Sequence, residues 1–196
     1  MGTTPIHGIP FADPTDLVRD WPALSEDVAE AVADGLDEAG NAGIGSNVVQ
    51  TVKTDTFSAS VAGGATSADA ISATITPTSA DAKILVVAQI SGSSTTNTVG
   101  LNLFIDGSAS PYRGDALGDR QRGVGFASSR TDSDVGMGTV VYLHSPETVS
   151  AVSYSIRLSH NSGSAQTVYL NRSSSDGDFP ARMRGASSIT LIEVAP

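Results

Sequence analysis

From residue 47 onwards the chain is a succession of short runs rich in Val, Ile, Thr and aromatic residues, separated by turns of Gly, Ser, Asn, Pro and Asp. Such runs predict β-strands, because β-branched and aromatic side chains fit a pleated, half-buried surface. Parallel strands need long crossover connections, commonly helices, and no helical pattern separates these runs. The sequence therefore predicts a mainly β protein, an antiparallel β-sandwich with a jelly-roll-like arrangement. Nine strands are predicted, at 47–54, 56–61, 70–77, 83–92, 98–106, 138–145, 151–160, 166–173 and 187–195.

The two-residue period of the strands identifies the side chains that face the interior. Aromatic residues make up only 5% of the chain, so the predicted core is thin. Thin sandwiches gain stability by pairing faces or edges with symmetry mates, which favours a homotrimer. The predicted core residues are Ile84, Val86, Leu101, Leu103, Val140, Tyr142, Tyr154, Ile156, Leu158, Val168, Leu170, Ile189, Leu191 and Val194.

Residues 1–45 differ from the rest in charge. They hold nine carboxylates and one basic residue, Arg19, in a chain of net charge −10. We predict that this part is an extended N-terminal arm with one short α-helix, and that residues 46–196 form the sandwich domain. Nucleic acid is an unfavourable partner, because binding phosphates requires clusters of Lys and Arg. Neither a membrane span nor a signal peptide is evident, which predicts a protein made in the cytoplasm without membrane insertion.

One helix is predicted over residues 25–38. Ser25 is a good N-cap, the first turn is acidic, and Gly40 can end the helix in a left-handed cap. A helix of this length needs a partner for its apolar stripe, because it is marginal alone in water. Self-association, docking on another protein and packing on the chain's own sandwich are all open. The predicted oligomerisation residues are Val28, Ala31, Val32, Gly35 and Leu36.

Segment 13–24, DPTDLVRDWPAL, precedes this helix and carries apolar residues that nearby sequence does not match. Pro14 and Pro22 restrict its backbone before any partner binds, which lowers the entropy lost on docking. The segment is therefore predicted to anchor the chain to another protein. The predicted anchoring residues are Phe11, Leu17, Val18, Trp21 and Leu24.

The connection 107–136 is much longer than the usual antiparallel link. Long ordered loops tend to carry function or an extra strand. Its four arginines suit bidentate pairing with carboxylates or acidic glycans, and ion pairs within the chain or between subunits are the favoured interpretation. The candidate surface-recognition residues are Tyr112, Arg113, Asp115, Arg120, Arg122 and Phe126.

Patterns typical of catalysis are weak, and we predict a protein that is not an enzyme and has no cofactor. His7, His144 and His160 lack metal-ligand spacing and are expected at exposed strand ends and in the N-terminal tail. The carboxylate pairs Asp132/Asp134 and Asp176/Asp178 lie in Ser/Gly-rich loops, where Asp favours turns, and calcium binding there is the alternative.

Two parts of the chain resemble proteins of bacteriophage particles. The C-terminal segment 168–196 is similar to the ending of a family of phage virion structural domains, in which Asn-Arg-Ser leads through an Asp-x-Asp loop to Arg-Gly-Ala-Ser and a last strand. The middle, with LNLFIDG at 101–107 and the run 139–156, is similar to the same family. The matching C-terminal residues are Asn171, Arg172, Ser173, Asp176, Asp178, Arg184, Gly185, Ala186, Ser187 and Glu193.

Residues 10–32 resemble the N-terminal segments of phage minor tail and tail-fibre proteins, although Trp21 stands where Gly is usual after Arg-Asp. The resemblance implies a non-enzymatic virion structural protein, a trimeric tail fibre or minor tail protein. Residues 1–45 would bind another virion protein, and the sandwich would contact a glycan or protein of the host surface. A capsid decoration protein or head fibre is the alternative, and a carbohydrate-binding adsorption module is a second.

Overall fold

A computed structural model describes residues 2–3, 10–11, 27–34, 47–96, 98–129 and 131–195. The chain divides into two compact units, one made mainly of residues 1–44 and the other of residues 45–194. In the smaller unit, β1 (Gly2–Thr3) pairs antiparallel with β2 (Pro10–Phe11), and helix α1 spans residues 27–34. The predicted helix is therefore present over its middle, and its ends at 25–26 and 35–38 lie outside the described residues.

The larger unit contains eleven strands and no helix among its described residues. They are β3 (Val48–Lys53), β4 (Phe57–Val61), β5 (Asp69–Ile75), β6 (Lys83–Ser94), β7 (Thr98–Ile105), β8 (Ser108–Ala109), β9 (Gly125–Ser128), β10 (Gly136–His144), β11 (Val152–His160), β12 (Gln166–Leu170) and β13 (Ser187–Val194). All strand pairs are antiparallel.

The first sheet contains six strands in four positions. Strands β12 and β13 pair with the same edge of β6, at Leu170↔Gly92 and Ser188↔Gln89, so they continue one line interrupted by residues 171–186. Strands β3 and β4 likewise follow one another along that line. Strand β10 pairs with the other edge of β6. The order across sheet 1 is β3/β4, β12/β13, β6, β10.

The second sheet has the order β5, β11, β7, with β8 and β9 both on the free edge of β7. Strand β8 follows β7 through a two-residue turn at Asp106 and Gly107, whose φ values of 48° and 76° are typical of a type I′ hairpin. If β3/β4, β8/β9 and β12/β13 each count as one position, the chain passes from one sheet to the other at every connection except this hairpin. That arrangement is a jelly roll, and the predicted mainly β sandwich is confirmed.

The long connection 107–136 contains β8 and β9, which the predicted nine strands did not include. Both are short and polar or glycine-rich, so the alternation that identifies a longer strand is missing from their sequence. Four predicted strand ends also differ from the observed ones by two or more residues: β5 ends at Ile75 rather than 77, and β10 begins at Gly136 rather than 138. Strand β12 ends at Leu170 rather than 173, and β6 continues to Ser94 rather than 92.

Twelve of the fourteen predicted core residues are buried between the sheets; the exceptions are Tyr142 and Val194. Tyr142 points inward but lies at the open end of the sandwich, where it is half-buried. In β13 the buried positions are 187, 189, 191 and 193, so Val194 lies on the outer face. The inward position belongs to Glu193, which is 1% exposed.

Glu193 joins the end of β13 to the chain segments around it. Its carboxylate accepts hydrogen bonds from the Thr78 backbone N–H at 2.8 Å, the Thr78 hydroxyl, and Asn47 Nδ2 at 2.9 Å. Burial opposes ionisation of Glu193, but the hydrogen bonds donated by Thr78 and Asn47 outweigh it and hold its pKa below the usual range. The buried charge is therefore compensated by donors from two other parts of the chain.

Asn171 occupies the break between β12 and β13 and is fully buried. Its Nδ2 donates to the carbonyls of Lys53 and Asp55 at 2.7 and 2.9 Å, where β3 passes into β4. Its Oδ1 accepts from the Ser187 hydroxyl at 2.6 Å. The φ of Asn171 is 61°, a left-handed conformation that Asn tolerates better than most residues. This side chain therefore pairs two backbone carbonyls at the break between β3 and β4 and joins them to the Ser187 hydroxyl at the start of β13.

Candidate functional site

The outer face of sheet 1 carries an apolar patch, beside polar positions occupied by Gln50, Thr190, Ser188, Gln89 and Thr139. Its central row runs Val48, Ile192, Leu85 and Leu143 across the four strand positions, as the strand registers place them opposite one another. The edge residues of this face are the most exposed, with Val48 at 52%, Val52 at 57%, Val141 at 53% and Leu143 at 47%. Contiguous exposed apolar surface on a folded protein marks an interaction site. We call this surface the apolar face.

The apolar face was not predicted from the sequence. In the run 138–145 both the even-numbered and the odd-numbered positions include apolar residues, so both faces of the strand carry apolar side chains. A strand that is buried on one side only does not require this. That excess of apolar residues was the available signal. This excess predicts an apolar surface only if the strand order is known, because the exposed residues of β3 and β10 form one surface only when both strands belong to the same sheet.

On sheet 2, residues 110–124 pass from β8 to β9 beside the free edge of β7. The segment is held at its start by the backbone N–H of Ser110, which donates to the Leu103 carbonyl at 2.9 Å, and at its end by the N–H of Val124, which donates to Leu101 at 2.8 Å. Gly114 N–H donates to the Gly123 carbonyl at 3.1 Å and closes it as a hairpin-like excursion. We call residues 110–124 the excursion.

Tyr112 contributes to this attachment. Its ring stacks on that of Tyr142 with centroids 4.8 Å apart and planes 4° apart, and it is 42% exposed. Tyr142 in turn stacks on His144, whose Nδ1 lies 2.8 Å from the Tyr154 hydroxyl. Burial lowers the pKa of His144 and raises that of Tyr154, so both rings are neutral near pH 7. The contact between His144 and Tyr154 therefore serves the packing of side chains at the end of the sandwich.

The glycines of β10 explain how β9 approaches so closely. A Cβ at Gly136 would lie 2.5 Å from the backbone of Ser128, and a Cβ at Gly138 would lie 2.9 Å from the Phe126 carbonyl oxygen. Both contacts are with backbone atoms, which cannot move without displacing β9. Glycine at these two positions therefore lets the return strand of the excursion pack against sheet 1.

The other predicted recognition residues lie on the excursion or just beyond it. Arg113, Asp115 and Arg120 are exposed, and Phe126 on β9 is 73% exposed. Arg122 is half-buried, because its Nε donates to the Gly114 carbonyl at 2.6 Å. The structure thus places these residues on one loop and its return strand, as their spacing in sequence suggested.

Three adjoining recesses surround the excursion. The first, of about 240 Å³, lies between it and the outer face of β7 and is lined by Asn102, Phe104 and three loop arginines, Arg113, Arg120 and Arg122. The second, of about 220 Å³, reaches His160 and Phe126. The third, of about 300 Å³, lies on the side of Leu117. Gln121 lines all three, so the recesses are neighbours around the loop, and we call the three together the excursion groove.

The arginines of the sandwich fall into two groups. Outside the excursion each described arginine is ion-paired: Arg157 with Asp69 at 2.6 Å, Arg182 with Asp132 at 4.0 Å, and Arg172 and Arg184 with Asp176 at 3.4 and 2.8 Å. Within the described parts of the chain, none of the three arginines on the excursion has an ion pair, nor do Asp115 and Asp119. Ion pairs within the described part of the chain are therefore not observed for these three arginines, and ion pairs between subunits stay a prediction.

The histidine prediction was wrong for His160, which is 1% exposed. Its Nε2 lies 2.8 Å from the Val61 carbonyl and its Nδ1 accepts from Ser162 N–H at 3.1 Å. Both ring nitrogens are used, so the histidine belongs to the core edge between β4 and β11. His144 is half-buried, and His7 lies outside the described residues.

No group of three or more His, Asp or Glu side chains with the geometry of a metal site occurs in the described part of the chain. At Asp176 the two neighbouring guanidiniums already neutralise the carboxylate. Their positive charge disfavours a divalent cation at the same oxygen, so Asp176 is an unsuitable calcium ligand. No helix within the described ranges is long and apolar enough to cross a membrane.

Most residues of the predicted anchor lie outside the described residues, namely Leu17, Val18, Trp21 and Leu24, as do Gly35 and Leu36 of the predicted helix. The backbone of Phe11 belongs to β2. On α1, Val28 and Ala31 are half-buried and Val32 is 42% exposed. The part of the apolar stripe that is described is thus incompletely covered.

No protein-family model matches the chain, and no curated protein matches it in sequence. Among solved structures, the chain is similar to infectious bursal disease virus VP2 in the crystal structure of its subviral particle, at 15% identity and a TM-score of 0.31. The match covers 76% of this chain and 37% of the VP2 chain. The chain therefore spans just over a third of that virus protein, and a likeness of this size assigns no family to it.

Proposed function

We propose that the protein is a non-enzymatic structural protein of a virus particle, and more specifically a trimeric tail fibre or minor tail protein of a bacteriophage. Residues 1–45 bind another virion protein, and the sandwich projects towards the host surface. The main observation in support of the proposal is the apolar face, because exposed apolar surface of this kind is typical of an interface with another protein chain. The sequence resemblance of residues 10–32 and 168–196 to phage virion proteins supports it.

We assign the apolar face to a second copy of the chain. Strands about 4.8 Å apart and residue rows about 6.8 Å apart give this four-strand, three-row surface an area of about 400 Å². Covering this face with a different surface of a neighbouring copy, as a threefold assembly requires, buries about 800 Å² in total, below the roughly 1,200 Å² of a stable interface. Contacts between copies must therefore include more than this face, and the stripe of α1 supplies the second surface. A trimer held by both is the proposed assembly.

Introducing charge on the apolar face tests this assembly. We expect the double variant V141K/L143K to remain folded but to sediment as a smaller species than the wild-type trimer. The reason is that both side chains are exposed in one copy, at 53% and 47%, and two ammonium groups buried at an interface would lack partners. Analytical ultracentrifugation at several protein concentrations measures the effect.

A matched control is V149K, which places the same charge on a residue that is 57% exposed but lies outside the strands of sheet 1. It should sediment as the wild type does. A V141K/L143K protein that is still trimeric at micromolar concentration would exclude the apolar face from the interface.

Removing residues 1–24 separates anchoring from folding. We expect the deleted protein to keep the β-sandwich circular dichroism spectrum and the trimer, but to be absent from purified particles, because the proposed anchor is lost. The measurement is immunoblotting of particles assembled with the deleted or the full chain. Incorporation at the wild-type level would refute the anchor.

Electron microscopy of labelled particles distinguishes the tail from the alternative position. Label at the tail supports a fibre or minor tail protein. Label at capsid vertices or hexamer centres indicates a decoration protein or head fibre instead.

A second candidate function is that of a carbohydrate-binding adsorption module. The observation that favours it is the excursion groove, where polar side chains, unpaired arginines and the exposed ring of Phe126 lie together. The two functions are compatible, because a projecting virion domain can also carry the receptor-binding surface.

A further inference from the structure

The excursion groove has the three elements of a site for a charged sugar: cations without an ion pair among the described residues, hydrogen-bonding groups fixed at its base, and an apolar surface. The cations are Arg113, Arg120 and Arg122, which all line the recess of about 240 Å³. Among the described residues that line this recess Asp119 is the one acid, so the three arginines make the local charge positive in a chain of net charge −10. Such a local reversal favours an anionic ligand.

The free hydrogen-bonding capacity of these arginines points to a planar anion. Arg122 uses Nε on the Gly114 carbonyl, which orients its guanidinium and leaves both terminal nitrogens as donors. Across the described residues Arg113 and Arg120 have no ion pair, whereas the arginines elsewhere in the sandwich all do. Guanidinium groups bind carboxylates through two parallel hydrogen bonds, a geometry that a point charge such as lysine lacks.

The base of the groove is rigid and polar. Asn102 on β7 is 8% exposed, and its Nδ2 donates to the Ser159 hydroxyl at 3.0 Å and to the Arg157 carbonyl at 3.3 Å. These bonds fix the amide, and its Oδ1 has no donor in the described part of the chain. A fixed acceptor beside the exposed amide of Gln121 suits the hydroxyl groups of a sugar better than a second charged group.

The apolar element is the ring of Phe126, 73% exposed at the mouth of the two other recesses. An exposed aromatic ring provides a flat apolar surface for the C–H face of a sugar ring. The recesses of about 220–300 Å³ each adjoin one another, which favours several linked sugar units over a single small anion.

We propose that the excursion groove binds an oligosaccharide that contains carboxylated sugars, with the guanidiniums of Arg113, Arg120 and Arg122 holding the carboxylates. This rests on the proposed function, since it names the class of host-surface ligand that the projecting domain would contact. The proposal commits to a carbohydrate, and an acidic peptide is an outcome that would contradict it.

The test is isothermal titration calorimetry of the purified full chain with trigalacturonate as the carboxylated probe and maltotriose as the neutral one. We expect trigalacturonate to bind with a Kd at or below about 1 mM, and maltotriose to bind at least about tenfold more weakly. Raising the salt from about 50 to about 300 mM should weaken trigalacturonate binding, because exposed charges are screened.

The variant R120Q/R122Q should bind trigalacturonate at least about tenfold more weakly than the wild type, because charge-assisted hydrogen bonds are lost. Lys83→Gln is the matched control: it removes an exposed cation at the start of β6, away from the groove, and should bind as the wild type does. Arg120 and Lys83 are exposed, and an unchanged circular dichroism spectrum verifies folding. Because Arg122 also donates to the Gly114 carbonyl, R113Q/R120Q, which keeps this hydrogen bond, should weaken binding as well.

Several results would overturn the proposal. They are no trigalacturonate binding at about 10 mM, equal binding of maltotriose, equal binding of oligoglutamate or inorganic phosphate, and unchanged binding by R120Q/R122Q. Failure here is distinct from failure of the virion role, because binding is measured on the purified protein and incorporation on particles. A chain that assembles into particles but binds no acidic sugar would retain only the structural function.

Discussion

Asn171→Leu is expected to lower the free energy of unfolding by about 3–6 kcal/mol, because several buried groups lose their partners at once. The carbonyls of Lys53 and Asp55 lose the Nδ2 donor, and the Ser187 hydroxyl loses its acceptor. Leucine is also strained at a φ of 61°. Urea unfolding followed by circular dichroism, at fixed protein concentration, measures the change.

Two further variants separate the loss of hydrogen bonds from the backbone strain in the effect of Asn171→Leu. Asn171→Gly keeps the left-handed backbone at no steric cost and removes only the side-chain hydrogen bonds. Glu147→Asn makes the reverse change at an exposed residue with a similar φ of 53°, where asparagine should be more stable by about 1 kcal/mol, which isolates the difference in backbone strain. If Asn171→Gly is as stable as the wild type, the hydrogen bonds at the break between β12 and β13 do not hold the two strand lines together.

Glu193→Gln is expected to lower the free energy of unfolding by about 2 kcal/mol at pH 7, because charge-assisted hydrogen bonds become neutral ones. The amide nitrogen of glutamine also cannot accept from Asn47 Nδ2 or Thr78 N–H, so one carboxylate contact is lost outright. Urea unfolding at pH 7 and at lower pH gives both the size of the effect and its pH dependence.

The pH dependence follows from the pKa of Glu193, which the hydrogen bonds of Thr78 and Asn47 hold below its usual range against the opposing effect of burial. A depressed pKa in the folded state stabilises the protein fully above the unfolded pKa, near 4.5. That contribution is lost as the pH falls through the folded pKa. The stability difference between wild type and Glu193→Gln should therefore shrink below about pH 4.5.

Asp69 gives the comparison for this experiment. Burial opposes its ionisation, but hydrogen bonds from Arg157 and Ser155 prevail and lower its pKa as well. Some acid sensitivity must therefore remain in Glu193→Gln, which retains Asp69. A difference between the two proteins that is constant from pH 7 to about pH 3 would show that Glu193 is not a titrating contributor to stability.

The C-terminal residues on which the expected resemblance to phage virion domains rests have structural roles in this fold. Asn171 and Ser187 join the interrupted strands, Asp176 is paired by Arg172 and Arg184, and Glu193 fixes the last strand to Asn47 and Thr78. Gly185 lies against the side chain of Ser91, where a Cβ would collide. The pattern therefore describes how the end of the chain closes the sandwich, and a binding site need not be part of it.

Most of the larger unit could be predicted from periodicity alone. Alternating β-branched residues locate the long strands and twelve core side chains, because a strand has only two faces and a buried face must be apolar. The helix at 27–34 was equally predictable, because its apolar residues recur with helical spacing and its first turn is acidic. These features depend on neighbours in sequence.

The tertiary structure decided what depends on distant neighbours. Glu193 faces the interior and Val194 faces outward, the reverse of the prediction, because Thr78 and Asn47 donate hydrogen bonds that stabilise a buried carboxylate. The short strands β8 and β9 form because the free edge of β7 supplies their partners and Gly136 and Gly138 give β9 room. The apolar face and the excursion groove exist only once strand order and register bring separate segments together, and local sequence does not specify pairings across so many residues.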